Sequence, residues 1–384
     1  MSIEAVPARR IAVMLPLLGE EEAQAAAEAV RSGWVAQGPR VARFEAAFAE
    51  RVGAAHGIAV SSCTTGLHLA LIAVGVEPGD EVIVPSLSFI ATANAVRYAG
   101  ATPVFADVEL ATGNVTVGTL DRVRTTRTRA VIAVHQGGVP LDLRALRTAA
   151  AGWGVALVED AACAAGSTVD GKPAGAGALV AAWSFHPRKL ITTGEGGMVT
   201  VDDPAWATRL KRLREHGMNV SAADRHASAQ PILEAYLETG YNYRMTDIQA
   251  AIGLVQLDRL DGIVAGRRAL AVRYHELLAG LPGVRPVRDP AHGTTNYQSF
   301  WIQLTPEFGA TRDEAMAALA AAGVSARRGI MAAHLEPAYE GVPVQSLPNT
   351  ETLTRDSLIL PLHHALTADD QEYIVDVLHG LARA

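Results

Sequence analysis

The 384-residue chain carries 40 acidic and 33 basic side chains for a net charge of −7, and is 49% hydrophobic against 19% charged. Its length exceeds one small core and suits a large α/β domain plus a smaller one. Its composition excludes a disordered chain, and the lack of any basic block argues against a nucleic-acid partner. Two cysteines, Cys63 and Cys163, give neither a disulfide framework nor zinc-site spacing, so no metal is expected. No apolar run approaches the length of a membrane span, and no signal-peptide pattern opens the chain, so a cytoplasmic protein without membrane contact is expected.

Glu20–Arg31 is rich in Ala and Glu and free of breakers, which predicts a helix ended by Ser32-Gly33-Trp34. Val41, Phe44, Phe48 and Val52 recur at helical spacing and predict a second. The pattern then alternates. Gly57–Val60 reads as strand, Thr64–Gly75 as helix, Glu81–Val84 as strand and Phe89–Tyr98 as helix. Thr102–Ala106 and Arg129–Val134 read as strands, Leu143–Gly152 as helix and Val155–Glu159 as strand. Such alternation predicts crossover units and a mainly parallel sheet with helices on both faces. Beyond Tyr241, long helices are predicted over Met245–Leu260 and Ala265–Leu281. Phe300–Leu304, Arg312–Ala322 and Thr367–Ala382 then suggest a smaller α+β domain. The expected division is 1–250 for the large domain with its N-terminal arm, and 251–384 for the small one.

Ligands of parallel sheets sit beyond the carboxyl ends of the strands. Ser61-Ser62, Pro85-Ser86 and Asp160 all fall there. So does Lys189, in the run Trp183-Ser184-Phe185-His186-Pro187-Arg188-Lys189, between an apolar strand and the bend Gly194-Glu195-Gly196-Gly197. A lysine shielded in this way can form a Schiff base, and an Asp converging on it suits pyridoxal phosphate, whose ring nitrogen it would keep protonated. Ser61-Ser62-Cys63-Thr64-Thr65-Gly66 leads into a helix and offers free N–H groups and hydroxyls to a phosphate; an ordinary N-cap is the plainer alternative. Phe89 is placed to stack on an aromatic cofactor, or else to fill core. Cys163 is either a small buried filler or a neighbour of the cofactor. Gly175-Ala176-Gly177-Ala178-Leu179-Val180 lacks the last glycine of a dinucleotide loop. His275-Glu276 lacks the second histidine of a zinc-protease motif.

Taken together the motifs resemble the DegT/DnrJ/EryC1/StrS family of pyridoxal-phosphate sugar aminotransferases. The likeness runs from about Ile11 to Leu366. It is carried in order by Trp34-Val35-Ala36-Gln37-Gly38, Phe44-Glu45, Ser61 to Gly66, Pro78 to Ser86, Glu159-Asp160-Ala161-Ala162, Ser184-Phe185-His186, Gly194 to Gly197 and Tyr241-Asn242-Tyr243-Arg244-Met245. The resemblance implies a fold-type I aminotransferase working as a homodimer with shared active sites. It implies that Lys189 holds the cofactor as an imine and shuttles a proton, that Asp160 pairs with the ring nitrogen, and that Phe89 stacks on the ring. Thr64, Thr65 and Ser184 would hold the phosphate, joined by Asn242 of the neighbouring subunit. Many members carry His or Gln where Cys163 stands, and a thiol is a weak donor to the cofactor's phenolic oxygen.

Arg327, Arg328 and His334 resemble the family's substrate-side motif only loosely. They are candidates for the sugar and for an anionic part such as a nucleotide diphosphate; a solvated basic face is the alternative for the arginines. The expected activity is transfer of an amino group from glutamate or glutamine to a keto sugar, nucleotide-linked. A keto-cyclitol aminotransferase would share every cofactor residue. A dehydratase would replace the lysine with histidine, and a non-catalytic sensor would be expected to have lost Lys189 or Asp160.

Overall fold

The computed structural model describes residues 10–221 and 230–382. Five strands fall where the alternation places them: β1 (His56–Val60), β2 (Glu81–Pro85), β3 (Thr102–Ala106), β4 (Thr128–Val134) and β5 (Ala156–Asp160). After the two-residue strands β6 (Thr168–Val169) and β7 (Lys172–Pro173) come β8 (Val180–Ser184) and β9 (Gly197–Val201). Seven strands form one sheet in the order β1-β9-β8-β5-β4-β2-β3. Pairs from β3 through β8 are parallel, while β9 runs antiparallel to both neighbours, β8 and β1. The sheet is therefore mainly parallel with one reversed strand.

Both faces are covered, which is why the strands are almost uninterruptedly apolar. Successive residues alternate between two cores. Val82, Val84, Ala130 and Ile132 pack with the helices Cys63–Ala73, Ala91–Tyr98 and Pro204–Leu213. Ile83, Val131, Ala133 and Leu157 face the other way, toward the helix Leu143–Trp153 and the C-terminal part of the chain. A third core joins Ala59, Ala181, Trp183 and Met198 to the helices Pro39–Val52 and Asp247–Asp258. There Phe44, Phe48, Trp183 and Phe185 meet with ring centroids 5.1 to 6.0 Å apart.

The C-terminal part holds a second sheet made of β10 (Val284–Pro286), β12 (Phe300–Leu304), β14 (Ser357–Leu360) and β13 (Arg327–Arg328) in that order, all antiparallel. Two-residue β11 (Gly293–Thr294) instead pairs with β6. The helices Arg312–Ala321 and Ala368–Ala382 pack on the second sheet. Near the N-terminus, Ile11 bridges to Val324 and Val13 accepts the Leu362 N–H, so the segment runs beside that sheet.

Three helices have bounds that differ from expectation. The helix predicted from Met245 starts at Asp247, because the Thr246 side chain accepts the Gln249 N–H and caps it. It ends at Asp258, and a new helix runs Leu260–Leu277 where Ala265–Leu281 was expected. The helix expected from Phe89 starts at Ala91, which leaves Phe89 in the turn before it. No helix among the described residues is long and apolar enough to cross a membrane.

Candidate active site

A cavity of about 310 Å³ opens at the carboxyl ends of the parallel strands, where β2, β4, β5 and β8 hand over to their loops. Asp160, the last residue of β5, lies on its floor and is only 4% exposed. Its two oxygens are held from two sides. Oδ1 accepts the Ala162 N–H at 3.1 Å, and Oδ2 accepts the Thr92 hydroxyl at 2.9 Å. With its proton so committed, the Thr92 oxygen accepts from Ser88 at 2.8 Å. Burial pushes the carboxyl up, while Ala162, Thr92 and the Lys189 ammonium pull it back toward the charged form.

Lys189 enters from the loop between β8 and β9. That loop is stapled by its own backbone: Lys189 N–H to His186 C=O at 2.8 Å, Thr193 N–H to Phe185 C=O at 3.0 Å, and Phe185 N–H to Gly196 C=O at 2.9 Å. The amine stops 3.1 Å from Cys163 Sγ. Burial acts to strip its proton, but the Cys163 sulfur it donates to and the Asp160 carboxylate outweigh burial and hold the amine above its ordinary range.

The far end of the cavity is the start of the helix Cys63–Ala73, capped by Ser62, whose side chain accepts the Thr65 N–H. The first N–H groups of a helix have no partner within it and favour an anion. Gly197 lets β9 pass against this turn: a Cβ there would lie 2.5 Å from the Ser62 carbonyl carbon and 2.6 Å from the Cys63 nitrogen. Phe89 lines the cavity and is 64% exposed, an uncovered aromatic at the mouth.

Of the residues singled out from sequence, Thr64, Phe89, Asp160, Cys163, Ser184 and Lys189 line this one cavity. Thr65 does not; its hydroxyl donates to the Ser62 carbonyl at 2.8 Å and serves the cap. Asn242 is exposed, pairs through its backbone with Glu215, and does not line the cavity of its own chain. His334 lies outside it too, with Nδ1 2.6 Å from the Ser86 hydroxyl and Nε2 3.6 Å from Glu351. Arg328 pairs with Glu336 at 3.3 Å. Arg327 lines a smaller neighbouring cavity.

Ser88, Thr92 and Gln136 line the cavity and were not anticipated, and Cys63, His186 and Arg188, which stand in the quoted runs, had been given no role of their own. Ser88 and Thr92 stand four apart across a helix start, a pair of hydroxyls in an otherwise apolar segment that could have drawn notice. Burial, then the Asp160 carboxylate, pushes the Cys63 thiol well up, so it stays protonated and is not a nucleophile.

A buried carboxylate, a shielded lysine and a free helix start around one cavity are the groups pyridoxal phosphate needs for its ring nitrogen, its carbonyl carbon and its phosphate. The residues fit the group. Among the described residues no cluster of side chains is suited to a metal ion.

Comparison with known proteins agrees. The profile of the DegT/DnrJ/EryC1/StrS aminotransferase family matches residues 16–379. The aminotransferase TlmJ from Streptoalloteichus hindustanus is 38% identical, with 98% of this chain and 99% of that one covered and a TM-score of 0.90. DesV from S. venezuelae, solved in complex with a ketimine intermediate, is 35% identical over 95% of each chain with a TM-score of 0.86. DesI, solved in the presence of its TDP-sugar product, is 34% identical over 98% of this chain and 93% of that one, with a TM-score of 0.88.

Proposed function

Because the chain belongs to the DegT/DnrJ/EryC1/StrS aminotransferase family and is a pyridoxal-phosphate-dependent aminotransferase, we propose that it moves an amino group from glutamate or glutamine to a nucleotide-linked keto sugar. The observation that carries this reading is the convergence of Lys189, Asp160 and the start of the helix Cys63–Ala73 on one cavity. The TDP-sugar product of DesI supports the nucleotide link.

When bound, pyridoxal phosphate supplies a carbonyl carbon that amines attach to and a ring that accepts electron density. Lys189 would hold it covalently, and its Nζ, once replaced there by the incoming amine, would move a proton on and off the carbon that bears the amine. Asp160, kept in place by Thr92 and Ala162, holds the proton on the ring nitrogen. Thr64, Ser184 and the helix start hold the phosphate, and Phe89 covers the ring. Thr65 shapes that helix start through its cap. Asn242 of a second subunit completes the phosphate site, which makes the working form a homodimer. His334 orients the loop beside Ser86 on the sugar side. The large unit ends near residue 250, and the enzyme works in the cytoplasm.

The test separates the two halves of the reaction. The purified holoenzyme, mixed with glutamate or glutamine alone, should lose the visible absorbance of its cofactor and regain it on addition of the right acceptor. A panel of nucleotide-linked keto sugars, free keto sugars and keto-cyclitols, read by product mass, identifies the acceptor. Restoration by cyclitols alone would refute the sugar reading.

A further inference from the structure

Beside the main cavity lies a second one of about 150 Å³ whose lining includes Arg188, Lys189, Arg267, Gln298 and Arg327, and no Asp or Glu. Four cations around so small a space is an unusual arrangement, because like charges repel and each cation seeks a counter-charge. Nor do the arginines find counter-charges elsewhere. Among the described residues neither Arg188 nor Arg327 makes a side-chain ion pair, in contrast to Arg328, which is paired with Glu336. Arg327 is lowered by burial and by its cationic neighbour Arg188.

Arg267 is the more telling case. It is 5% exposed, and its guanidinium donates only to neutral acceptors: the carbonyls of Tyr297 at 2.8 Å, Leu362 at 2.8 Å and Gln298 at 2.9 Å, and Met14 Sδ at 3.6 Å. Those four bonds leave one of its five N–H donors over. Burial brings it down to about 10. A buried cation with no carboxylate in contact is costly unless a ligand completes it. The two cavities share Cys163, Arg188 and Lys189, so the cationic one opens next to the reactive amine.

We propose that Arg188, Arg267 and Arg327 form a subsite for a carboxylate, next to Lys189 and distinct from the phosphate site at the start of the helix Cys63–Ala73. The space takes a carboxylate and a few further atoms, and is too small for a diphosphate joined to a sugar. Planar guanidinium forks match a carboxylate with paired, charge-assisted hydrogen bonds. The carboxylate comes either from the amino donor, whose α-carboxylate lies one bond from the reacting carbon, or from an acid group on the acceptor. The inference rests on the aminotransferase reading for its place in the reaction, though not for the binding itself.

The binding test uses the holoenzyme and glutarate, a dicarboxylate that has no amine and cannot react. Calorimetric titration at low salt should show saturable binding to the wild type. Arg327→Gln and, separately, Arg188→Gln should weaken it roughly tenfold or more, while the cofactor's absorbance stays in place. Arg327→Lys should retain part of the affinity. Undetectable binding to the wild type, or an affinity unchanged from the wild type in both glutamine variants, overturns the subsite. Single-turnover measurements then find the source. A raised KM for glutamate alone identifies the donor, and a raised KM for the acceptor alone identifies an acidic acceptor. Equal losses in both half-reactions indicate a structural role and overturn the proposal. A wild type that binds glutarate yet reacts with no amino acid would refute the proposed function and leave the subsite standing.

Discussion

Lys189 stands 3.1 Å from Cys163 Sγ, and its amine is held above the usual lysine range despite its burial. A group raised on folding stabilises the fold below its unfolded value, near 10.4, and that contribution is lost as the pH climbs through the folded value. The cofactor-free wild type should therefore melt above Cys163→Ala at pH 8 to 9, by a margin that shrinks once the pH passes about 10.4. The small cavity the alanine leaves costs the same at every pH, so only the pH-dependent part bears on the contact. A margin that stays constant in thermal melts across that range would rule the contact out. The covalent role of Lys189 is checked separately. Borohydride reduction of the holoenzyme followed by peptide mapping should place the label on Lys189, and Lys189→Ala should show no label. Label on Lys172 or Lys211 would refute the assignment. Asp160 was readable as a strand-end carboxylate, but Thr92 was not, because its role arises from a fold that brings two residues far apart in sequence within 2.9 Å.

At the scale of elements, the phosphate end depends on how closely β9 passes the helix Cys63–Ala73. Gly197→Ala would drive a methyl group into the Ser62–Cys63 peptide at 2.5 to 2.6 Å. The strand or the helix start must then shift, at a cost of about 1–3 kcal/mol. Cofactor affinity, read by equilibrium dialysis, should fall well beyond what the lowered melting temperature implies; unchanged affinity would mean the close approach is not needed. Most strands of the main sheet were legible because burial on both faces makes them short, continuous apolar runs. The position of the break at Arg259 was not, because no glycine or proline stands there and the expected gap lay later, at 261–264. The reversal of β9 was equally hidden, since a buried strand reads alike in either direction. The cationic cavity beside Lys189 could not be read at all, as Arg188, Arg267 and Arg327 come from three separate elements.

For the whole molecule, the proposed second subunit would meet the cavity mouth at the exposed Phe89 and bring in the exposed Asn242. Asn242→Ala should leave the melting temperature nearly unchanged and weaken cofactor retention about tenfold, the loss expected for one hydrogen bond to a charged group. A fully active monomer in sedimentation would rule out the shared site. The order of strands in the main sheet has a further consequence, for the birth of the protein. β1 is the first of its strands to leave the ribosome, and its only partner strand among the described residues is β9, the last. Until β9 arrives, the apolar edge of β1 stays unpaired and the helix start that follows it has nothing packed against it, so contacts distant in sequence must close before the site exists. Slow synthesis or heat should then expose β1 to pairing with other chains. Cofactor added during refolding should rescue yield only when supplied before that final closure is lost to aggregation, and it should leave the earliest collapse untouched.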